Sequence, residues 1–361
     1  MQIIVKYLLI LFVFSSILFA ENIRFLPYKK NEFSPILKEK IAIGFNLSVE
    51  SVVNVEIYTP DGALIRTLTT GASMKKGDHT LEWDGKDKAG TIVPDEAYNV
   101  ILKSTANGEV EIIDPRKTSG GIVQRNLSPK INTDGKITYT LPVPSRVLIR
   151  LGIESGAMLR SVITWKAKNT GKNLQFWDGY DQDHLVKIQK HKDFKIIFSA
   201  FSLADHSIVT TGNKVSYFDY INKYAYEPSF SAKKYRLTHA KSKLMSPYYV
   251  RALTDMREPI ISFMFPDNIK RDKDGIPVVK KGEKIRVKVI MDEKDAQRMA
   301  QVKYEITFFD DLDFISEEEM GYVPISWLWS PQKEKGKHIL TVNIASFKGH
   351  VGLKSTPYII D

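Results

Sequence analysis

The 361-residue sequence predicts an all-β protein made of three β-sandwich domains in series. Three observations lead to this prediction: short alternating apolar runs separated by turn residues, an internal repeat of domain size, and the lack of room for long helices between the turns. Hydrophobic residues make up 43% of the chain and aromatic residues 11%, which is enough to build packed cores and excludes general disorder. The length favours two or three domains over one.

The chain begins with a segment typical of a secretory signal peptide. Residues 1–20 contain one charged residue, Lys6, followed by thirteen mostly apolar residues. That run is shorter than the roughly 18 apolar residues of a membrane span, and Ala20 before Glu21 suits cleavage. We therefore expect an exported protein of the periplasm, the outer surface or the medium, with no transmembrane segment after cleavage. An uncleaved membrane anchor is the alternative interpretation.

The middle of the sequence repeats itself with an offset of 94 residues. Residues 33–85 align without a gap to residues 127–179, and fifteen of the 53 aligned pairs are identical. Both segments end in the triplet Trp-Asp-Gly, at 83–85 and at 177–179. Because a period of this length is a whole small domain and not a solenoid repeat, we interpret the repeat as a domain duplication.

Each copy has the alternation expected of a β-sandwich. In the first copy the predicted strands are 41–47, 53–58, 63–68, 77–83 and 98–103. A period of two places Val53, Val55 and Ile57 on one face of a strand, where they can share a core. The sequence Pro60-Asp61-Gly62 supplies the turn of the hairpin that follows.

Polar turns follow the two matching tryptophans, Trp83 and Trp177, for which the repeat favours a packing role. The turn Asp84-Gly85-Lys86-Asp87 recurs in the second copy as Asp178-Gly179-Tyr180-Asp181. We predict that these carboxylates accept hydrogen bonds from backbone N–H groups and have a structural role.

The residues of the first copy carry a family resemblance. Its hairpin Asp61-Gly62, the turn beginning at Trp83, and the ending Val93-Pro94 before Tyr98 together resemble the FlgD-type Ig-like domain. That module is named after the flagellar hook-capping protein and is widely reused in bacterial surface and secreted proteins. The second copy keeps Trp177-Asp178-Gly179 but lacks the Asp-Gly and Val-Pro pairs, and is similar to a diverged member. The resemblance implies a binding or assembly module without a catalytic set.

The predicted organisation follows from the repeat and from the strands that resume after residue 257. One short helix is expected among those later strands, at Glu293–Ala300, with Met299 facing inward. The predicted segments are a signal peptide (1–20), a FlgD-type Ig-like domain (33–118), a diverged FlgD-type Ig-like domain (122–210), a Tyr-rich connector (211–256) and a C-terminal Ig-like domain (257–361).

Two sets of aromatic residues are candidate ligand contacts. Tyr217, Tyr220 and Tyr224 lie in the connector, and tyrosine offers rigid amphipathic contact area to a partner. The alternative is a connector packed along its neighbouring domain. Trp327 and Trp329 alternate on one strand, so they share a face that either stacks on sugar rings or belongs to the core.

The sequence offers little for catalysis or cofactor binding. The chain has no cysteine, which excludes disulfides, thiol catalysis and cysteine-ligated metals. Its seven histidines form no pair with metal-ligand spacing, and no nucleophile elbow or phosphate loop is present. The acidic residues within 310–319 are interpreted as a solvated loop, with a calcium site or an enzyme cleft as the weaker alternatives. We predict no catalytic residue, no metal and no cofactor.

The charge and the domain pattern together suggest a function. The net charge is +10, but the lysines are scattered, which favours anionic surfaces over a nucleic-acid site. We expect a non-enzymatic exported structural or binding protein of the cell envelope or extracellular space. Its expected partners are envelope or extracellular proteins or an anionic polysaccharide. A carbohydrate-binding accessory protein is the first alternative, and an uncharacterised enzyme is the weaker one.

Overall fold

The structure, a computed structural model, describes residues 21–132, 134–222 and 244–361. The predicted signal peptide at 1–20 and the candidate contact residue Tyr224 lie outside the described residues. Within those ranges the chain is built from β-strands with three short α-helices, and no helix there is long and apolar enough to cross a membrane. The all-β fold class predicted from the sequence is confirmed.

The strands group into three sandwiches and are numbered in chain order. The first contains β1 (Ile23–Phe25), β2 (Glu32–Phe33), β3 (Ile41–Leu47), β4 (Ser51–Tyr58), β5 (Leu64–Met74), β6 (Gly77–Trp83), β7 (Ala97–Ala106) and β8 (Glu109–Ile113). The second contains β9 (Lys130–Ile131), β10 (Lys136–Leu141), β11 (Ser145–Ile153), β12 (Met158–Lys168), β13 (Gly171–Phe176) and β14 (Phe194–Ser202), after which comes β15 (Ile208–Thr210). The third contains β16 (Ile261–Met264), β17 (Val278–Val279), β18 (Ile285–Met291), β19 (Tyr304–Asp310), β20 (Asp313–Glu318), β21 (Ile325–Trp329), β22 (Gly336–Ser346) and β23 (Val351–Ile360). The α-helices are α1 (Pro115–Thr118), α2 (Tyr217–Ile221) and α3 (Glu293–Met299), and single 3-10 turns lie at Pro35–Leu37, Ile188–Lys190 and Leu253–Met256.

The first core lies between a sheet ordered β1-β3-β6 and a larger sheet ordered β2-β15-β7-β4-β5, with β8 beside β7. Val53, Val55 and Ile57 on β4 are fully buried, as the period-2 pattern predicts. Trp83 is also fully buried and packs edge to face against Tyr98, with ring centroids 5.3 Å apart. Burial of these aliphatic and aromatic side chains is the main stabilising contribution to this sandwich.

The second sandwich repeats the central strands of the first, whereas β2, β8 and β15 have no counterpart in it. Adding the 94-residue offset to the bounds of β5 gives the bounds of β12, and β3 and β4 likewise map onto β10 and β11. The sheet β9-β10-β13 reproduces β1-β3-β6, and the sheet β12-β11-β14 reproduces β5-β4-β7. The repeat detected in the sequence is therefore a repeat of strand bounds and sheet order.

The turns after the two tryptophans repeat down to individual hydrogen bonds. The indole N–H of Trp83 donates to the Lys86 carbonyl at 2.9 Å, and that of Trp177 donates to the Tyr180 carbonyl at 2.8 Å. The carboxylates at equivalent positions, Asp84 and Asp178, accept backbone N–H bonds from the residue two positions later, and Asp87 and Asp181 accept two each. The predicted structural role of these carboxylates is confirmed.

The boundary between the first two sandwiches differs from the predicted one. Strand β15, which the prediction assigned to the second domain (122–210), pairs antiparallel with β7 and parallel with β2 of the first. Helix α2, predicted as part of the connector, also inserts Tyr220 into the first core. The reason is that β7 would otherwise leave unpaired backbone groups at its start, and the returning chain covers that edge.

The third sandwich packs a sheet ordered β16-β18-β21 against a sheet ordered β17-β23-β22-β19-β20. Its one α-helix in the described chain spans Glu293–Met299, within one residue of the prediction, and Met299 is buried as expected. Asp292 caps the helix by accepting the Lys294 backbone N–H at 3.1 Å. Of the acidic residues predicted to lie in a loop, Asp313, Glu317 and Glu318 instead belong to strand β20, which pairs with β19, and Asp310 ends β19.

Candidate functional site

The described connector tyrosines lie in cores and not on a surface. Tyr217 and Tyr220 are both buried, and the Tyr220 hydroxyl donates to Asp87 Oδ2 at 3.1 Å. No ring face of either residue is open to a ligand, which corrects their prediction as contacts. Tyr220 packs in the core of the first sandwich, whereas Tyr217 packs in a separate cluster with Leu148 and Trp165 of the second sandwich. Tyr224, the third candidate, lies outside the described residues.

The two tryptophans on β21 share a face, as predicted, and that face is turned toward the third core. Trp329 is only 3% exposed and packs edge to face against Tyr358, with centroids 4.7 Å apart. Trp327 is half-buried and stacks on Phe308 at 4.0 Å. The aromatic face of Trp327 is thus already occupied by a neighbouring ring, and the arrangement supports the core interpretation over sugar stacking.

A carboxylate at the start of the third sandwich holds the second and third sandwiches together. Glu258 Oε1 accepts from the Arg150 guanidinium, at 3.0 Å from Nε, and from the hydroxyls of Ser161 and Thr164 at 3.3 and 3.2 Å. Its other oxygen accepts the Val351 backbone N–H at 2.6 Å. Both oxygens are therefore engaged, one by the second sandwich and one by the third. We call this cluster the Glu258 junction.

Two further carboxylates hold the first sandwich to later parts of the chain. Glu96, next to β7, pairs with Arg146 of β11 at 2.8 Å, and both side chains are less than a tenth exposed. Asp61, in the hairpin turn of the first sandwich, accepts the backbone N–H groups of Leu253 and Thr254. Burial raises the pKa of Asp61 above its ordinary value, although these two hydrogen bonds oppose that shift. The three sandwiches are thus joined through buried polar contacts.

Sequence reasoning found none of these junction residues, although the repeat contains a signal for two of them. At the 94-residue offset, Arg146 and Arg150 on β11 occupy the positions of Val52 and Glu56 on β4, which face outward from the first sandwich. Every residue of β11 up to Gly152 is buried, since other parts of the chain cover its outer face. The second copy has arginine at these outward positions and the first copy does not. This difference was the available indication of a contact between domains.

A buried histidine of the third sandwich, His350, directly precedes Val351, whose backbone N–H binds Glu258. His350 Nδ1 lies 2.8 Å from Ser346 Oγ, and its Nε2 hydrogen-bonds to the Asp255 carbonyl. Because a carbonyl only accepts, Nε2 carries a proton, and in the neutral ring Nδ1 is then the acceptor for the serine hydroxyl. Burial, the largest influence, lowers the pKa of His350 below its ordinary 6.5.

We expect His350 to make the protein less stable in acid. Above pH 6.5 the ring is neutral in both states; as the pH falls through 6.5 the unfolded chain binds a proton before the folded chain does. The free energy of unfolding therefore decreases as the pH is lowered from 6.5, until the pH reaches the lower pKa that His350 has in the folded protein. Urea titrations across this range should show a smaller pH dependence for His350→Gln, which retains an N–H donor, than for the wild type. Equal pH dependence in both proteins would contradict this prediction.

An open cleft of about 790 Å³ lies where the chain passes from the first sandwich to the second. Lys29 and Lys30 line one wall, and the segment 202–207 lines another. The His206 ring is stacked on Phe25 with centroids 4.2 Å apart, and burial lowers the pKa of His206. The Tyr28 hydroxyl is buried beside the cleft without a hydrogen-bond partner among the described residues. Lys30 pairs with Glu39 at 3.3 Å, whereas Lys29 forms no ion pair with a described residue, so Lys29 is the cation that the cleft offers to an anionic ligand.

Three acidic residues of 310–319 have partners within the third sandwich. Asp310 is buried and accepts the Tyr358 hydroxyl at 2.7 Å, and burial raises its pKa. Asp311 pairs with His338 and Asp313 with Lys333, both at 2.6 Å. Across the described ranges no three metal-ligating side chains are grouped so as to hold an ion.

Comparison with known proteins finds a family model that matches the first sandwich. Residues 31–108 match the family model described as FlgD Ig-like domain, which confirms the resemblance inferred for this part of the chain. The match ends before the second sandwich, so membership of that copy stays a prediction. The chain is also 36% identical over 63 residues to the basal-body rod modification protein FlgD of Salmonella typhimurium, and equally to that of Salmonella typhi.

These similarities cover only part of each protein. The FlgD alignment spans 18% of this chain and 27% of the relative, so the chain matches about a quarter of the length of its curated relatives. Among solved structures, a tetra-tandem repeat from the extending region of a large adhesion protein aligns over 94% of this chain and 73% of that one, with 10% identity and a TM-score of 0.21. Trypsin-activated alpha-2-macroglobulin from Escherichia coli aligns over 94% and 23%, with 9% identity and a TM-score of 0.19. TM-scores this low carry no argument about function.

Proposed function

We propose that this chain is an exported scaffold of the cell envelope or extracellular space, which presents fixed surfaces for protein assembly or surface adhesion. That it is a structural or binding protein of a non-enzymatic kind agrees with its FlgD Ig-like domain. The observation that carries the scaffold role is the set of buried polar contacts at the junctions. Glu258, Asp61 and the pair Arg146–Glu96 fix the order and facing of the three sandwiches.

The junctions matter for function because they determine whether separate surfaces act together. Ig-like modules joined by free linkers present each surface independently, whereas domains held by desolvated ion pairs present them at constant spacing. Here Arg150 also donates to the Gly349 carbonyl at 2.8 Å, and Lys354 of the third sandwich pairs with Asp183 of the second at 2.6 Å. These contacts support a protein that holds its partners in a defined arrangement.

The proposal is tested by affinity capture from native envelope and culture medium, with residues 21–361 as bait and bound proteins and glycans both identified. Removing the region from residue 211 onward is not a suitable variant, since that would take Tyr220 out of the first core. Glu258→Ala, which loosens the junction without altering an exposed surface, is the better one. A partner captured by the wild type and weakened by this change supports the scaffold role. Capture of no protein or glycan overturns it.

Export is a separate part of the proposal and has its own test. Residues 1–20 fused to a reporter that is active only outside the cytoplasm should give signal, and replacing Lys6 and the apolar run should abolish it. Mass spectrometry of the protein isolated from the envelope should then find an N-terminus near Glu21. An inactive reporter, with the fusion protein recovered from the cytoplasm, would contradict export.

A second candidate function, binding of an anionic polysaccharide, is favoured by the cleft between the first two sandwiches. Lys29 and Lys30 are exposed there, and electrostatic attraction depends on ionic strength. We expect the double change Lys29→Glu and Lys30→Glu to weaken binding to acidic exopolysaccharide about tenfold or more at low salt. The matched control is Lys75→Glu with Lys76→Glu, the same charge change at an exposed pair away from the cleft. Equal losses in both proteins would indicate net charge alone and exclude the cleft.

A further inference from the structure

The two repeated sandwiches differ at one pair of equivalent edge strands. Strands β6 and β13 occupy the same place in their sheets, each at the end of the sheet order. Their solvent-facing positions in the first copy are polar or acidic, and in the second copy they are basic or apolar. In order along the strand these are Asp78, Thr80 and Glu82 on β6, and Lys172, Leu174 and Phe176 on β13.

The outward face of β13 has the features of a docking surface. Leu174 is 44% exposed and Phe176 is 66% exposed, although both lie in a regular strand. Lys172 forms no ion pair with any other described residue. Apolar side chains such as these are usually buried in a core, and here they are exposed. Because β13 is also an edge strand, its free backbone groups can pair with another strand.

A second strand in the same chain has the complementary composition. Strand β20 pairs only with β19 among the described strands, so its other edge carries unpaired backbone groups. Phe314 is 57% exposed and Ile315 is 38% exposed. The alternate positions Asp313, Ile315 and Glu317 are all exposed, and Glu317 forms no ion pair with a described residue. This is an acidic and apolar edge in a chain whose net charge is +10.

We propose that these strands are the two halves of a contact between copies of this chain, with β20 of one copy adding to the edge of β13 of another. Both strands are six residues long. An antiparallel pairing sets Leu174 against Ile315 and Lys172 against Glu317, so one apolar pair and one pair of opposite charges are formed. The same register sets Phe176 against Asp313, whose carboxylate is already paired with Lys333 at 2.6 Å. Strand β6 does not fit in place of β13, since Asp78 and Glu82 would face the carboxylates of β20. The contact concerns self-association and not the envelope partner, so either proposal can fail alone.

Because β13 and β20 are different strands, each copy carries both halves of this contact. Two copies can exchange both contacts around a two-fold axis, or successive copies can continue into a ring or a filament. Each arrangement joins further fixed sandwiches to the first chain. Self-association would therefore multiply the surfaces that a single copy presents.

The test is sedimentation velocity of residues 21–361 over a concentration series. The wild type is expected to self-associate, and Lys172→Glu and Glu317→Lys are each expected to weaken association about tenfold or more, because like charges then face each other. Combining the two changes restores the opposite charges and should recover association. Asp78→Lys, at the equivalent position of β6, is the matched control and should leave it unchanged.

The outcomes separate cleanly, because all three substituted side chains are exposed and circular dichroism reports whether each variant is folded. Loss in both single variants with recovery in the double variant supports the contact. A wild type that stays monomeric at every concentration overturns it. Association that is insensitive to Lys172→Glu, or a double variant weaker than either single one, overturns it as well.

Discussion

Replacing Glu258 by alanine is expected to lower the free energy of unfolding by about 3–5 kcal/mol, because it leaves a buried charge without its partner. The Arg150 side chain is only 8% exposed, and it would lose its carboxylate while staying in place. The Val351 backbone N–H would lose its acceptor at the same time. Urea unfolding followed by tryptophan fluorescence measures the change, since Trp165 and Trp329 report on the second and third sandwiches respectively.

The control for this variant is an exposed ion pair between a lysine and a glutamate. Lys195 and Glu154 lie 2.9 Å apart, but both side chains are more than half exposed. We expect Lys195→Ala to change stability by less than about 1 kcal/mol, because solvent screens such a pair. Glu258→Gln should fall between the two, since it keeps an acceptor but no charge. Similar losses for Glu258→Ala and Lys195→Ala would contradict the role assigned to the junction.

A large loss of stability in Glu258→Ala would also indicate that the second and third sandwiches unfold cooperatively. Hydrogen exchange at β11, β12 and β23 should then rise together, since Glu258 contacts all three strands. Exchange confined to the strand ends would instead indicate independent sandwiches. The scaffold proposal requires the first result, because a fixed arrangement depends on cooperative junctions.

The elements that could be predicted from the sequence are those determined by local pattern. Period-2 alternation predicted β3 and most of β4, and the 94-residue offset maps them onto β10 and β11 to within one residue. The turns after Trp83 and Trp177 were predictable because the residues that make their hydrogen bonds lie within a few positions of each other. Such contacts depend on nearby residues only, so a single sequence contains the necessary information.

The features that could not be predicted depend on contacts between distant parts of the chain. Strand β15 follows the second sandwich in sequence, yet its partner β7 lies more than a hundred residues earlier. Asp61 was predicted only as a turn residue, while its carboxylate binds backbone 192 residues further on. For Tyr217 and Tyr220 the sequence left ligand contact and packing on a neighbouring domain open, since nothing local shows that α2 brings Tyr220 into the first core. Tertiary pairing decided each of these cases.

The second large effect is expected at Trp329, where alanine should cost about 3–5 kcal/mol of stability because it leaves a cavity in the third core. The indole packs among Phe265, Tyr358 and the buried aliphatic residues of β18. Trp329→Phe keeps part of that volume and should cost less. The measurement is thermal unfolding monitored by circular dichroism, with Trp327→Ala as the comparison.

The two tryptophans distinguish the core interpretation from the sugar-binding one. Trp327 is half-buried against Phe308, so its loss removes less packing than the loss of Trp329. If both rings belong to the core, stability should fall in the order wild type, Trp327→Ala, Trp329→Ala, and glycan binding should follow only the folded fraction. If the face of β21 were a sugar platform, Trp327→Ala would abolish glycan binding at unchanged stability. The stacking of Trp327 on Phe308 argues for the first outcome, because a ring that already has an aromatic neighbour on its face offers little area to a sugar.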